Sequence, residues 1–298
     1  MLSPRRLRLL HELSRRGTIA AVADSLQFTP STVSQQLSTL EHEVGVPLLE
    51  RGPRSVRLTE AGAALAAQAG EILEALSAAR ADAQAVGGLD RGTLAIASFP
   101  SAGATLLTAA LARLASGHPG LQARVVEAEP DEGLKRLRDG TVDLALVYEY
   151  EPTPLAVEHD VVLVHLVDDP MLVCLPSALM PQSGSLALAA LAGRRFVAGR
   201  VDSACAAFAR TACRDAGFEP QIAYETDDIG FTCALVEAGL AVALMPSLLL
   251  STAARRPPTT NTEPPLPPRR IYLAYRRSAT ALPTVRAGRE ALTVAVQG

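Results

Sequence analysis

The side chains best suited to recognition chemistry lie between Thr29 and Arg54. Thr29, Ser31, Thr32, Ser34, Gln35 and Gln36 bring short hydroxyls and carboxamides together in eight residues. Such groups donate to and accept from base edges and phosphate oxygens. A face that is merely solvated is the alternative, although it would more often carry Glu and Lys. Arg51 and Arg54 flank Gly52-Pro53, so a turn would present two guanidinium groups suited to phosphates. Taken alone, those arginines would pass for ordinary surface charges. Covalent and metal chemistry finds little support. The five histidines, His11, His42, His118, His159 and His165, are scattered, and no HExxH, GxSxG or P-loop pattern occurs. No cofactor motif and no enzyme are expected.

The elements that must position these residues are legible. Ser3 precedes Pro4, a cap and first-turn proline, and Leu7, Leu10 and Leu13 recur at helical spacing up to Gly17. Thr18 caps a second helix, Ile19 to Leu26, with Val22, Ala23 and Leu26 on one face. After Gln27-Phe28, Thr29-Pro30 repeats the cap signal and opens a third helix with Val33, Leu37 and Leu40 inward. Three short helices with a tight turn before the third read as a helix-turn-helix. The segment VPLLERGPRSVRLT then reads as a hairpin with Arg51 and Arg54 at its tip, a wing.

The stretch from Gly17 to Gly62 resembles the LysR-type transcriptional regulators. The resemblance is carried by Leu26, Val33-Ser34, Gln36, Leu40-Glu41, Gly45, Leu48, Arg51, Arg54, Leu58-Thr59 and Gly62. Val22-Ala23 stands where the family usually has two alanines, and Leu49 where it usually has Phe. Both departures are apolar and adjust packing alone. The resemblance implies that Ser31, Thr32, Ser34 and Gln35 enter the major groove of double-stranded DNA, with Arg51 and Arg54 on the wing.

Thr59 caps a long stretch rich in helix formers. Leu65, Ile72, Ala79 and Val86 fall seven apart, as do Ala69, Leu76 and Ala83, which is a heptad seam. One helix lying on its own domain is the alternative. Pairing through Leu65, Ala69, Ile72, Leu76 and Ala79, which the resemblance also implies, makes a homo-oligomer, dimer or tetramer, and a pseudo-palindromic operator.

Beyond Gly87-Gly88 strands alternate with helices, implying a mostly parallel sheet covered by helices. The unit recurs: Arg195 to Gly199, Ala204 to Ala216, Gln221 to Glu225 and Ile229 to Glu237 read as strand, helix, strand, helix. The proline-rich stretch RRPPTTNTEPPLPPRR reads as an extended, exposed loop before a return strand, Ile271 to Tyr275. GTVDLAL, AGFEP and VEAGLAVALMP resemble the LysR effector domain, itself like a type II periplasmic binding protein. The expected architecture is an N-terminal all-α winged helix-turn-helix (1–60), a linker helix (59–88) and an α/β effector domain (91–298). That domain has two subdomains, about 91–163 with 268–298, and about 164–267. A small-molecule effector, with an anion as one candidate class, is expected between them at strand ends. Candidates are Ser98, Pro100, Ser101 and Ala102 in the first half, Arg200, Asp202 and Ser203 in the second, with Tyr148 and Thr226. Each could equally be a structural cap.

The resemblance leaves a redox-sensing alternative, since some LysR-type regulators use a cysteine pair in this part of the second half; Cys205 and Cys213 are eight apart, too far to bridge on one helix without unwinding, and buried apolar filler is the commoner role. A solute-binding protein would need no residues 1–60. No export or membrane segment is expected: the apolar run Ala238 to Leu250 contains Gly239 and Pro246, so a cytoplasmic chain follows. The charge arithmetic fits. The 298 residues carry 28 basic and 31 acidic side chains, net −3, which suggests no nucleic-acid partner; yet residues 1–60 hold 8 Arg against 6 acids. Lys135 is the only lysine, so any cation on phosphate there is an arginine.

Overall fold

The computed structural model describes residues 2–52, 56–86, 92–151, 153–182, 184–201 and 203–297. They fall into two compact units, one spanning 1–89 with 278–283 and the other the remainder.

In the first unit α1 (Pro4–Arg16), α2 (Ile19–Leu26) and α3 (Pro30–Val44) have the bounds their caps dictate. Thr18 Oγ1 accepts from Ala21 N, Gln27 takes a left-handed conformation to close α2, and Gly17 and Gly45 do the same after α1 and α3. Ser3 is the N-cap of α1, but its side chain makes no capping bond. Leu7, Leu10, Leu13, Val22, Ala23, Val33, Leu37 and Leu40 form the core, each adding about 2 kcal/mol of burial where the side chain is large. Strands β1 (Leu49–Arg51) and β2 (Val56–Leu58) pair antiparallel, Leu49 opposite Leu58. Helix α4 (Glu60–Val86) follows. It crosses so close to the hairpin that a Cβ on Gly62 would run into the Leu48 carbonyl.

The seam expected along α4 divides. Ala66 and Ala69 are buried against the chain's own core, where His11 Nδ1 sits 3.0 Å from the Ala66 carbonyl oxygen and its ring lies against Gly70. Ala69 therefore packs inside its own unit and is no part of an open seam. Ile72 and Leu76, 37% and 47% exposed, are the bare apolar positions that follow.

The second unit opens with β3 (Gly92–Ser98), α5 (Pro100–Ala102), a π turn (Gly103–Leu107) and α6 (Thr108–Gly117). Next come β4 (Leu121–Glu127), α7 (Pro130–Arg138), β5 (Leu144–Glu149) and β6 (Val161–Asp169). The later elements are β7 (Met171–Cys174), β8 (Ser185–Leu186), β9 (Arg195–Ala198), α8 (Ala204–Asp215), β10 (Gln221–Glu225) and α9 (Ile229–Glu237). β11 (Ala243–Pro246), α10 (Ser247–Ser251), β12 (Thr259–Thr262), β13 (Arg269–Arg276) and α11 (Pro283–Gln297) complete it.

The first half is a five-stranded sheet, β4-β3-β5-β13-β6, in which β3 runs parallel to β4 and β5 while β13 is antiparallel to β5 and β6. The sheet is mixed rather than mostly parallel, because the returning strand β13 enters from the second half beside β5. Alternation sends Leu94 and Leu144 to one face, under Gly288 of α11, and Ala97 and Ala145 to the other, under Gly133 of α7. In the second half β11-β7-β12-β8 form one sheet, and β9 and β10 a parallel pair joined to it by a bridge between Phe196 and Val242. The proline-rich stretch is not merely an exposed loop. Thr259–Thr262 pairs with both β7 and β8, with Thr260 and Thr262 buried. The chain passes between the halves twice, at Asp169–Met171 and between Thr262 and Arg269.

Candidate nucleic-acid interface and ligand cleft

Helix α3 is presented by a set of braces. Thr29 Oγ1 accepts from Thr32 N at 3.2 Å and lies 2.8 Å from both Ser31 Oγ and Thr32 Oγ1, so hydroxyls crowd the helix N-terminus. Ser31 and Gln35 are exposed, with Ser34 and Ser38 half-buried beside them, all within one helical face opposite Val33, Leu37 and Leu40. Gln36 departs from the expectation. Its Oε1 accepts from Arg6 Nη1 at 3.4 Å, and Arg6 is ion-paired with Glu43, so Gln36 fastens α3 to α1 instead of facing outward. A residue about 100° further round than Gln35 meets α1, a packing fact that spacing within α3 alone does not contain.

The wing hangs from Glu41, whose Oε1 accepts from the backbone N–H of Leu48 at 2.9 Å and of Leu49 at 3.0 Å. Thr59 completes the brace, donating to the Pro47 carbonyl and accepting from Gly62 N. Arg51 lies in β1, but its side chain, like Arg54, is outside the described residues. Arg57 on β2 is exposed and went unnoticed in the sequence because it lies beyond the turn; its register partner is Glu50. Arg5 is also exposed, its guanidinium 4.7 Å from the centre of the Phe28 ring.

In the second unit Ser101 and Tyr148 meet at a residue that the motifs did not single out, with Ser98, Pro100 and Ala102 next to Ser101 along the chain. Arg269 is buried there, with its guanidinium 5.0 Å from the centres of both the Phe99 and Tyr148 rings. It donates to Asp169 and, at 3.0 Å, to Ser101 Oγ. Ser98 is buried and bonds the Phe99 carbonyl. Tyr148 donates to Glu129 at 2.8 Å; burial and that carboxylate together push its hydroxyl well above the ordinary phenol range. Phe99, Tyr148, Tyr150 and Phe208 continue as a row of rings with centroids 4.7, 5.6 and 4.8 Å apart. The Tyr150 hydroxyl is buried without a hydrogen bond of normal geometry among the described residues, beside the Cys205 thiol. Burial, first, drives that hydroxyl strongly upward too.

Arg200 and Ser203 lie between β9 and α8 and Thr226 directly after β10, whereas Asp202 lies outside the described residues. Arg200 is not a free cation: its Nε is 2.9 Å from Asp227 Oδ2. Ser203 Oγ caps α8 by accepting from Ala206 N, and Thr226 Oγ1 accepts from Asp228 N. Cys205 and Cys213 both lie on α8, about 12 Å apart along its axis at the usual helical rise. Burial raises both thiols, that of Cys213 to about 12.

Residues 4–63 match the model of the bacterial regulatory helix-turn-helix proteins of the lysR family, and residues 87–296 that of the LysR substrate binding domain. The chain belongs to the LysR family. It is a DNA-binding transcriptional regulator with an effector-binding domain, as are its relatives in kind. It is 30% identical over 94% of its length, and 92% of the relative, to a probable HTH-type transcriptional regulator LrrA of Synechococcus elongatus. It is 29% identical to OxyR, a dual regulator of Escherichia coli, over 91% of this chain and 88% of that one. Among solved structures, a full-length OxyR variant from Pseudomonas aeruginosa superposes with a TM-score of 0.65 at 22% identity, covering 100% and 95% of the two chains. Full-length CbnR with its target DNA superposes with a TM-score of 0.57 at 21% identity, covering 99% and 100%. At these identities the structures speak for the fold alone. In LysR terms, the braces on α3 belong to the reading head and the Arg269 cluster to the substrate-binding domain. No helix among the described residues is long and apolar enough to cross a membrane.

Proposed function

We propose that this LysR regulator reads base edges in the major groove with Ser31, Thr32, Ser34 and Gln35, with Thr29 at the helix end nearest the phosphates. Arg51, Arg54 and Arg57 hold the backbone from the wing. One observation carries this reading: the outward row of α3 is short, uncharged and hydrogen-bonding, and the helix is fixed in place by Thr29, Glu41 and the Arg6–Gln36 contact. Two copies joined through α4 at Ile72 and Leu76, as a dimer or within a tetramer, would present two such helices to a pseudo-palindromic operator. Purified full-length chain mixed with fragments of the chromosome that encodes it selects sites with related half-sites one helical turn apart; selection of no common sequence would refute the reading.

The second unit binds a small-molecule effector between its halves and performs no catalysis. The buried Tyr150 hydroxyl beside the Cys205 thiol, with Ser98 and Thr226 at strand ends and Ser203 at the start of α8, supports this location. An anionic effector would have to displace Asp169 from Arg269 or Asp227 from Arg200. Effector binding shifts the population between arrangements of the two halves. The regulator acts in the cytoplasm, where its DNA is.

A second reading, redox sensing through Cys205 and Cys213, is favoured by relatives named hydrogen peroxide-inducible genes activators, such as that of Pectobacterium carotovorum at 28% identity. The raised thiols and their separation along α8 count against a direct bridge.

A further inference from the structure

A cavity of about 450 Å³ lies beside α8, and neither Arg269 nor any of the effector candidates named above is among its described lining residues. One wall is a face of α8, Phe208, Thr211, Ala212, Asp215 and Ala216, recurring at spacings of three and four. The other is the strap Glu263–Pro267, by which the chain passes back to the first half, with the Ala187–Ala189 turn and Glu151 closing it. Phe208 forms its floor and stacks on Tyr150, so the ring row separates this cavity from the Arg269 cluster. The size is that of sites for small organic ligands, and alanines, prolines and leucines make the walls apolar.

Its charge is one-sided. Glu151, Asp215 and Glu263 border the cavity, and no Lys, Arg or His is among its described lining residues. None of the three carboxylates has an ion pair among the described residues, whereas nearby carboxylates do. Glu149 is paired with Arg270, Glu219 with Arg214 and Glu225 with Arg210. An apolar hollow rimmed by carboxylates of one sign repels anions and favours a cation whose body can desolvate. We propose that this cavity is a second ligand site, for a small organic ammonium ion carrying an apolar body. The apolar part fills the space between α8 and the proline strap, and the ammonium group stays at the rim among Glu151, Asp215 and Glu263.

The test is calorimetric titration of the full-length protein with 4-phenylbutylammonium, 4-phenylbutanol and 4-phenylbutyrate. The ammonium ion binds once per chain, at least about tenfold tighter than the carboxylate, with the alcohol between them. Glu151→Gln with Glu263→Gln, both at the surface, weakens the ammonium ion about three- to tenfold and leaves the alcohol unchanged. Ala212→Leu fills the hollow and removes binding of both. Equal binding of ammonium and carboxylate, absence of ammonium binding at millimolar concentration, or unchanged affinity in both variants overturns the proposal. DNA binding by the ligand-free chain is measured separately and tests the regulator reading alone.

Discussion

Arg269 and Asp169 face each other as register partners at the start of β13 and the end of β6, where the chain crosses between the halves of the second unit. Nη2 and Nε of the arginine lie 2.6 and 3.1 Å from the same carboxylate oxygen. The other oxygen accepts from Leu248 N at 2.8 Å, at the start of α10, while the guanidinium also reaches Ser101 at the start of α5. One ion pair thus ties both crossings to a helix of each half. Because both groups are buried, removing one strands the other.

Asp169→Ala should therefore cost about 3 to 5 kcal/mol. The double change Asp169→Ala with Arg269→Met should cost less than the sum of the two single changes. Urea unfolding of the four proteins gives the cycle; a single-variant loss below about 1 kcal/mol would mean that the pair fastens nothing.

Glu41 should matter twice over. Glu41→Ala leaves the N–H groups of Leu48 and Leu49 without their acceptor, a loss of about 1 to 3 kcal/mol. It also frees the wing, so DNA affinity should fall further than the loss of one remote charge would explain. Fluorescence anisotropy at fixed salt, alongside thermal melting, separates the two effects.

The reading head was the most legible part of the sequence, since its helices are set by local chemistry. Thr18, Thr29, Pro4, Pro30, Gly17 and Gly45 mark their ends with caps and stops that act within four residues. What stayed hidden depended on partners distant in the chain. Gln36 turns toward Arg6, 30 residues away, and Ala69 toward α1. Arg269 meets Asp169, 100 residues away, and nothing in the stretch PPRRIY distinguishes it from Arg270. Strand β12 was masked by the prolines around it, although Thr259–Thr262 itself contains none. The heptad positions share one helix, α4, yet periodicity is the same whether the chain's own α1 or a second copy takes each position.

Ile72→Glu with Leu76→Glu should turn the oligomer into monomers by sedimentation, because two carboxylates would replace exposed apolar side chains. Melting of the helix-turn-helix core should be unaffected, as neither residue belongs to it. If mass in solution does not change, α4 does not join the copies.

Burial raises the thiols of Cys174 and Cys213 to about 12 in the folded chain, from an ordinary value near 9. Between those values the folded protein holds protons that the unfolded chain has lost, so this stabilisation is complete below about pH 9 and fades as pH climbs toward 12. At pH 8 iodoacetamide should modify the native protein slowly and the urea-unfolded chain fast. Peroxide should leave the free-thiol count and DNA binding unchanged; rapid formation of a Cys205–Cys213 bridge would favour the redox reading instead.

Base recognition depends, on this proposal, on the outward face of α3. The direct measurement is the affinity of full-length Gln35→Ala and Arg57→Ala proteins for the selected operator and for each single-base variant of it. Gln35→Ala should weaken the best site by about 1 to 3 kcal/mol and erase preference at one position of each half-site. Arg57→Ala should weaken all sequences alike and lower the salt dependence by about one phosphate contact. A Gln35→Ala protein that still melts like the parent and keeps its full base preference would contradict the assignment of α3 as the reader.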